Sequence, residues 1–407
     1  MSSPFASQLG TNYCPRDEEL PQIKALLIEP SQRLKHLDDE IAVMRKALDK
    51  LTEERDTLGA YVAAHEALMS PIRRVPLDIL EEIFAACLPT HRNCVMSAQE
   101  APVILGRICS SWRTISLATP RLWSRLHIVE PTGPEPPNLV NTSRRLLRLE
   151  VANSWLRRSG ECPLSISLES SPDPRMPSPI PPSSLPSPTK VDLFLSALVQ
   201  FAPRWQEISL VTQHQAFEPL SRLTENDVPL LKRLSIISFD ARNADDAGLS
   251  LAQSSVFHGP SLSSFSITGF AAPTSTLPLR WNQLTALSLF PYSGWDAEHV
   301  QTSGVVVEIL SRCPQLRTCS LRVEGSAEES SVDSIVECLF LHTLDLFCPF
   351  AAVLTSGSLL RRLSLPQLRD FTLNGQEALQ DADVLTVEPL VSSPCRFTTF
   401  RSCQHQQ

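Results

Sequence analysis

Short apolar runs of the form L-x-x-L-x-L recur through the last two thirds of this 407-residue chain, and they constrain its fold more than any other feature. Apolar residues at alternate positions predict short strands with one buried face. Helix-like stretches lie between several runs, at residues 191–201, 305–312 and 332–339. Alternating strands and helices predict an α/β fold. The six clearest runs lie at residues 231–236, 262–267, 284–289, 316–321, 341–346 and 360–365, with weaker copies at 123–128, 164–168 and 205–210.

The runs resemble leucine-rich repeats of irregular length. The resemblance implies an α/β protein in which residues 125–380 form an irregular leucine-rich-repeat solenoid, preceded by an N-terminal coiled-coil helix and a small helical module. Neighbouring units would bury each other's apolar faces. A different α/β fold is the alternative that the pattern leaves open. Eight prolines at residues 170–190 predict a disordered insert, and residues 1–30 and 381–407 are expected to form a disordered N-terminus and a C-terminal cap or tail.

The residues between the leucine positions of each run are expected on the opposite, exposed face of the strands. The central position is serine in most of the runs, so this face carries small hydroxyl side chains flanked by larger ones. Exposed arginine and aromatic side chains carry much of the binding energy of protein interfaces. The alternative is that serine simply fits a tight, concave surface. The candidate substrate-binding residues are Arg233, Phe290, Arg322, Asp345, Phe347 and Arg362.

Residues 31–70 have the most regular pattern in the chain, with apolar side chains in alternating steps of three and four. This is the a/d pattern of a coiled-coil helix. Two interpretations stay open: an amphipathic helix that folds back on its own domain, or a homodimer through residues 31–69. In a homodimer registered on Leu34, Glu40 at position g would face Arg45 at position e of the partner helix, an attractive pair.

The segment of residues 71–124 predicts two or three short helices. Its first motif is R-R-V-P-L-D-I-L-E-E-I-F-A-A-C-L at residues 73–88, in which Pro76 precedes a helical stripe of apolar side chains. The motifs I-C-S-S-W-R-T-I-S and P-R-L-W follow at residues 108–116 and 120–123. Helices this short bury little apolar surface alone, so the segment is expected to depend on a partner or on the next domain.

These three motifs, in this order and at this spacing, resemble the F-box, in the divergent form of the fungal F-box/leucine-rich-repeat type. An F-box docks on the Skp-family adaptor of a cullin–RING ubiquitin ligase, so the resemblance implies an F-box-like domain over residues 71–124. Val75 departs from the leucine usual at its position, and the loop at residues 89–102 is longer than in the compact form. The alternative is a small helical cap on the repeats. The implied adaptor-binding residues are Pro76, Ile79, Leu80, Ile83, Phe84, Val103, Ile108 and Trp112.

The chain shows little sign of catalytic chemistry. No two of its 13 glycines lie closer than ten positions apart, which excludes glycine-rich phosphate loops and the G-x-S-x-G nucleophile motif. Its nine histidines are sparser still, so paired-histidine zinc motifs are absent. Cys87, His91, Cys94 and Cys109 have a spacing that zinc ligands could share, but a buried thiol and loop residues explain them better. We expect neither an enzyme nor a cofactor or metal.

Charge and apolar content limit the partners. A net charge of −8 argues against a nucleic-acid-binding protein, and polar residues interrupt the apolar stretch at residues 339–360, so no membrane span is expected. No secretory signal is visible, which favours the cytoplasm, the nucleus or both. We therefore expect a substrate-recognition subunit of a Skp–cullin–F-box ubiquitin ligase, with the F-box on the adaptor and the repeats on a protein substrate. The alternative is a non-ligase scaffold that uses the coiled coil and the repeats.

Overall fold

The computed structural model of the chain describes residues 3–130, 139–170, 193–212, 217–238, 254–270, 273–291, 301–324, 335–348, 358–374 and 396–400. The chain divides into two compact units, residues 1–79 and residues 80–407. Apart from Ser170, the insert expected at residues 170–190 lies outside the described residues, as does most of the segment at residues 381–407.

The N-terminal unit contains one long helix, α1, Leu20–Met69. Its 50 residues are rich in leucine, alanine, glutamate and lysine, which are strong helix formers. Pro21 lies in the first turn, where its missing N–H costs nothing, and the helix ends at Ser70. The helix begins at Leu20 rather than at residue 31 and continues through Pro30, and none of its residues is buried.

Three short helices follow, and a 3₁₀ turn, Pro120–Trp123, leads from them into the first strand. Asp78, in the first turn of the first of these helices, interacts favourably with the positive end of the helix dipole. The Cys109 sulfur accepts a hydrogen bond from the Trp112 N–H at 3.5 Å and so caps the start of the third helix. The helices are α2 (Leu77–Ala86), α3 (Leu105–Ile108) and α4 (Ser110–Ala118).

Among the described residues, ten strands form one parallel sheet in which the order across the sheet follows the chain. Two further strands, β8 (Val336–Glu337) and β10 (Leu363–Ser364), pair only with each other in the described part of the chain. The ten strands in order are β1 (Arg125–Val129), β2 (Leu164–Glu169), β3 (Trp205–Thr212), β4 (Arg233–Ser238), β5 (Ser264–Phe270), β6 (Ala286–Pro291), β7 (Thr318–Arg322), β9 (Thr343–Phe347), β11 (Asp370–Asn374) and β12 (Arg396–Phe400).

Each parallel pair of strands needs a crossover connection, and the crossovers differ widely in length. The described crossover between β5 and β6 contains 3₁₀ turns, Thr274–Thr276 and Trp281–Gln283, and no α-helix. In the described parts of the other crossovers the helices are α5 (Leu139–Arg158), α6 (Leu193–Val199), α7 (Glu218–Ser221), α8 (Ser303–Arg312) and α9 (Ser358–Arg361). Apolar residues of the crossovers cover one face of the sheet, where the leucine positions of the strands are buried. No helix in the described residues combines the length and the apolar character that crossing a bilayer requires.

The predicted leucine-rich-repeat solenoid is wrong. The structure shows a long helix followed by a parallel α/β sheet, and of the predicted fold class only the α/β part stands. The crossovers range from 20 residues of helix in α5 to short 3₁₀ turns, so they are not copies of one unit. The L-x-x-L-x-L runs indicate strands with one buried face. Any parallel sheet that is covered on one side has such strands, so the runs are not specific to repeats.

Residues 31–69, predicted to form a coiled-coil helix, lie within α1, and their pairing with a second copy stays a prediction. One further expectation is corrected. Residues 336–337, within the helix-like stretch at residues 332–339, form strand β8. The β-branched Val336 and its pairing with β10 favour the extended conformation there.

Candidate functional site

The helices of residues 80–123, called the helical module below, pack around an aromatic core. Phe84 of α2 is fully buried, and its ring lies 4.8 Å from that of Trp112 in α4, with the ring planes 55° apart. Trp123 is also buried and donates its indole N–H to a main-chain carbonyl oxygen of α4 at 2.7 Å. Its ring meets Trp155 of α5 edge-on at 4.8 Å, which anchors the module to the first crossover of the sheet.

The outer side of the helical module exposes large apolar side chains. Ile83 on α2, Ile108 on α3 and Leu117 on α4 are 38, 57 and 44% exposed, and Ile104 at the start of α3 is exposed to a similar degree. Burial of each by a partner would contribute about 1 kcal/mol. Exposed apolar side chains on helices that pack together are typical of an interaction site.

The residues predicted to bind the adaptor divide into two groups. Leu80 and Phe84 are buried in the chain's own core, so they hold the module together and offer no surface. Ile104 and Leu117, which the prediction omits, continue the apolar helical spacing, and that spacing was the signal that could have found them. The remaining predicted residues keep exposed surface, the first two in the N-terminal unit and the others in the helical module: Pro76, Ile79, Ile83, Val103, Ile108 and Trp112.

The long loop at residues 89–102 joins the helical module to the sheet. Val95 forms a parallel bridge with His127 of β1, whose N–H donates to the Cys94 carbonyl oxygen at 2.7 Å. The guanidinium of Arg125, also in β1, donates to two carbonyl oxygens of the same segment at 2.8 and 2.7 Å. An uncovered edge strand is open to pairing with other chains. The extra loop residues therefore protect the edge of the sheet at β1.

Glu100 fixes the conformation of this loop. Its carboxylate accepts hydrogen bonds from the Arg92 guanidinium and from the Val95 N–H, the latter at 3.2 Å. The hydrogen bonds from Arg92 hold the pKa of Glu100 below its usual range, although partial burial opposes this. An ionised carboxylate therefore holds the loop at neutral pH.

The exposed face of the sheet carries a continuous row of polar side chains, most of them serine. The row begins at His127 in β1 and continues beyond β7 with Asp345 in β9 and Thr372 in β11. All of these residues are half-buried. Strand spacing of about 4.8 Å makes the serine part of the row about 24 Å long. This part, called the serine row below, consists of register partners in β2 to β7: Ser167, Ser209, Ser235, Ser266, Ser288 and Ser320.

The two ends of the serine row are hydrogen-bonded within the chain. Ser167 Oγ shares a hydrogen bond of 2.9 Å with His127 Nδ1 and accepts another from the Asn93 amide at 3.2 Å. At the other end, Ser320 donates to the Asp345 carboxylate at 3.0 Å. The four serines between them make no side-chain hydrogen bond to any described residue. Their hydroxyl groups are thus free to bind an outside partner.

Charged and aromatic side chains flank the serine row. Glu207 and Arg233 are register partners on β3 and β4 and form an ion pair at 3.4 Å. The Arg322 guanidinium on β7 lies 5.0 Å from the ring centre of Phe347 on β9, a cation–π contact. Phe290 on β6 is half-buried. With Asp345 in the row itself, five of the six predicted substrate-binding residues lie on this face.

Arg362 lies elsewhere. It directly precedes β10, and its carbonyl oxygen accepts a hydrogen bond from the Val336 N–H at 2.8 Å, so it belongs to the two-stranded sheet. The large sheet passes instead from β9 to β11, where Thr372 extends the row of small side chains. The segment L-R-D-F-T-L at residues 368–373 has the repeated pattern with phenylalanine at one leucine position, and this signal could have identified β11.

The buried cysteines are poor nucleophiles. Burial raises the pKa of Cys94 to about 11 and that of Cys313 to about 12, so both stay protonated at neutral pH. Of the residues considered as zinc ligands, Cys94 is buried, whereas Cys87, His91 and Cys109 are exposed. Within the described ranges, no three His, Cys, Asp or Glu side chains are grouped to hold a metal ion.

In comparisons with known proteins, no protein-family model matches the chain and no curated protein matches it. Its function is therefore inferred from the helical module and from the exposed face of the sheet.

Proposed function

We propose that this protein is the substrate-recognition subunit of a Skp–cullin–F-box ubiquitin ligase. In this proposal the helical module is an F-box-like domain that binds the Skp-family adaptor, and the exposed face of the sheet binds a protein substrate. The observation that carries the proposal is the apolar outer surface of helices whose motifs resemble the F-box. The chain itself would need no catalytic residue, because it would act by holding a substrate lysine near a ubiquitin-charged enzyme.

The packing of the helical module supports adaptor binding. The Phe84–Trp112 contact holds α2 against α4, so the exposed side chains are already in place before a partner arrives. Such preorganisation reduces the entropy that binding costs. Burial of Ile83, Ile104, Ile108 and Leu117 together would contribute about 4 kcal/mol of apolar free energy.

The chemistry of the sheet face supports a protein as the substrate. The free hydroxyl groups of the serine row can bind main-chain and side-chain polar groups, and Arg233 and Asp345 supply charges of both signs. Phe290 and Phe347 offer aromatic surface beside them. Aromatic anchors among satisfied polar groups are typical of protein interfaces.

We place this activity in the cytoplasm, the nucleus or both. Free, buried thiols such as that of Cys94 suit a reducing compartment. The other function considered, a scaffold outside any ligase, requires no adaptor binding, so the experiment below separates the two.

Titration of the purified full-length chain with a purified Skp-family adaptor tests the proposal. The double variant Ile83→Lys, Ile108→Lys puts two charges into the proposed contact, and we expect adaptor binding to weaken at least about 100-fold. The matched control is Leu230→Lys, because Leu230 is 42% exposed but lies in a turn before β4. We expect the control to bind like the wild type.

Circular dichroism of the three proteins shows whether the double variant keeps its fold. We expect that it does, because both substituted side chains are exposed. Adaptor binding that is equal in the wild type and the folded double variant contradicts the assignment of this surface. A wild type that does not bind the adaptor contradicts the proposal itself and favours the scaffold.

A further inference from the structure

Helix α1 has an apolar seam, and none of its residues is buried by the described part of the chain. With Leu34 at position a of the heptad, Leu20 and Leu27 also fall at a, so the seam extends beyond the predicted residues 31–69. The a and d positions of α1 are apolar except for Pro30, Arg55 and His65, and apolar heptads sustained over several turns are typical of helices that pair. Its central part is 39 to 68% exposed: Leu34, Leu37, Ile41, Met44, Leu48 and Leu51.

We propose that α1 binds the α1 helix of a second copy of this chain, with the two helices parallel and in register. The charges that flank the seam are complementary in this arrangement. In a parallel pair of helices, a residue at position g of one helix meets the residue at position e of the next heptad in the other. The interaction would join two whole receptors and is independent of the proposed adaptor and substrate surfaces.

The g and e residues of residues 31–69 are complementary in the parallel arrangement. Arg33 would meet Asp38 of the partner copy, and Glu40 would meet Arg45 of the partner copy. By the two-fold symmetry of a homodimer each pair occurs twice. Each of the other g–e pairs in this range includes an uncharged residue, so no like charges meet at the g and e positions.

An antiparallel pair is the other way in which two such helices can associate, with g facing g and e facing e. In the register that sets Glu40 against Glu54 of the partner copy, Arg45 meets Arg45 of the partner copy, so like charges meet on both sides of the seam. In the register shifted by one heptad, Arg33 meets Glu54 and Asp38 meets Arg45 of the partner copy, so the charges alone permit that antiparallel register. The contact between Glu40 and Arg45 of the partner copy, however, forms only in the parallel pair, and the variants below test it.

Arg55 at position a fixes the register. In the in-register parallel pair the two Arg55 side chains lie at the same level of the seam, each beside Glu54 at position g of the partner copy, whereas a shift by one heptad would set each against Leu48 or Val62 and away from Glu54. One polar residue at an a position costs stability but specifies register and oligomeric state. In the single chain Arg55 pairs with the neighbouring Asp56 at 2.6 Å, on the surface.

The mass of the full-length chain in solution, measured by light scattering, tests the proposal. The monomer has a mass of 45.1 kDa, and we expect twice this mass at about 10 µM. Glu40→Arg and Arg45→Glu each place like charges at both copies of one pair, and we expect each alone to weaken dimerisation about tenfold. Mixed in equal amounts, the two variants restore opposite charges at both copies, so the mixture should dimerise like the wild type.

Asp39→Arg is the matched control, because position f faces away from the seam and the charge change is of the same kind. Glu40→Arg also removes a contact with His36 in the same helix at 3.5 Å, which mixing cannot repair. Recovery on mixing therefore reports the contact between copies. A monomeric wild type overturns the proposal, as does a dimer that neither charge variant affects. A dimer that Glu40→Arg strengthens requires the antiparallel arrangement and overturns it too.

Discussion

Phe84 and Ile108 lie in the same helical module, but truncation of the two should have very different effects. Phe84→Ala removes a fully buried ring and its contact with Trp112 at 4.8 Å. Truncation of a buried phenylalanine costs about 3–5 kcal/mol, and the lost aromatic pair, worth about 0.5–1.5 kcal/mol, places this variant in the upper half of the range. Ile108→Ala removes a side chain that is 57% exposed, so we expect a cost below about 0.5 kcal/mol.

Urea denaturation of the full-length chain measures both costs. Tryptophan fluorescence is a suitable signal, because Trp112 itself touches Phe84. With a slope of about 3 kcal/mol per molar urea, a loss of about 4 kcal/mol lowers the midpoint by more than about 1 M. A cost below about 1 kcal/mol for Phe84→Ala, or equal costs for the two variants, would refute the packing of α2 against α4.

Three more predictions concern the sheet and the loop beside it. Gly269→Ala in β5 should lower the free energy of unfolding by about 3 kcal/mol in the same assay, because Gly269 has a φ of +74° and an added Cβ would lie 1.9 Å from the Ser238 carbonyl oxygen. Glu100→Gln should lower the melting temperature at neutral pH, with the difference shrinking in acid. Because the hydrogen bonds from Arg92 lower the pKa of Glu100 in the folded chain, the ionised carboxylate stabilises the fold at pH values above its pKa in the unfolded chain, near 4.5. This stabilisation is lost as the pH falls through the lower pKa that Glu100 has in the folded chain. Phe347→Ala should weaken substrate capture about tenfold and leave adaptor titration unchanged.

Each of these has a control or a contrary outcome. Gly259→Ala should be mild, because an added Cβ there meets its nearest atom at 3.4 Å; equal costs at Gly259 and Gly269 would count against the close approach of β4 and β5. A melting difference for Glu100→Gln that persists unchanged in acid would remove the role of the ionised carboxylate. Capture of substrate by Phe347→Ala at wild-type strength would show that recognition does not use the sheet face.

The strands can be predicted from the sequence, but the connections between them cannot. Alternation such as that of Leu234 and Ile236 in β4 directly reflects the one buried face of the strand. The 3₁₀ turn Trp281–Gln283 leaves no periodic pattern, so nothing in the sequence shows that the crossovers differ in kind. The expectation of a uniform repeat fails at these crossovers.

Of the candidate site, the sequence predicts only the features that local periodicity determines. Periodicity places Leu80, Ile83 and Phe84 on one apolar stripe of α2, but which of them the chain buries depends on packing against Trp112. In the sequence, the loop at residues 89–102 is only an insertion relative to the compact F-box pattern. The structure shows its role, because Asn93 in this loop forms hydrogen bonds with Ser165 and Ser167 of β2, 72 and 74 residues away. Such contacts depend on tertiary structure, which one sequence pattern does not report.

Amide hydrogen exchange of the full-length chain, with and without a Skp-family adaptor, tests the central claim most directly. If the helical module is the adaptor-binding surface, bound adaptor should slow exchange in α2, α3 and α4, whose outer side chains it would cover. Exchange in β3 to β9 should stay unchanged, because that face is assigned to the substrate. Unchanged exchange in α2 to α4 at a saturating adaptor concentration would contradict the account.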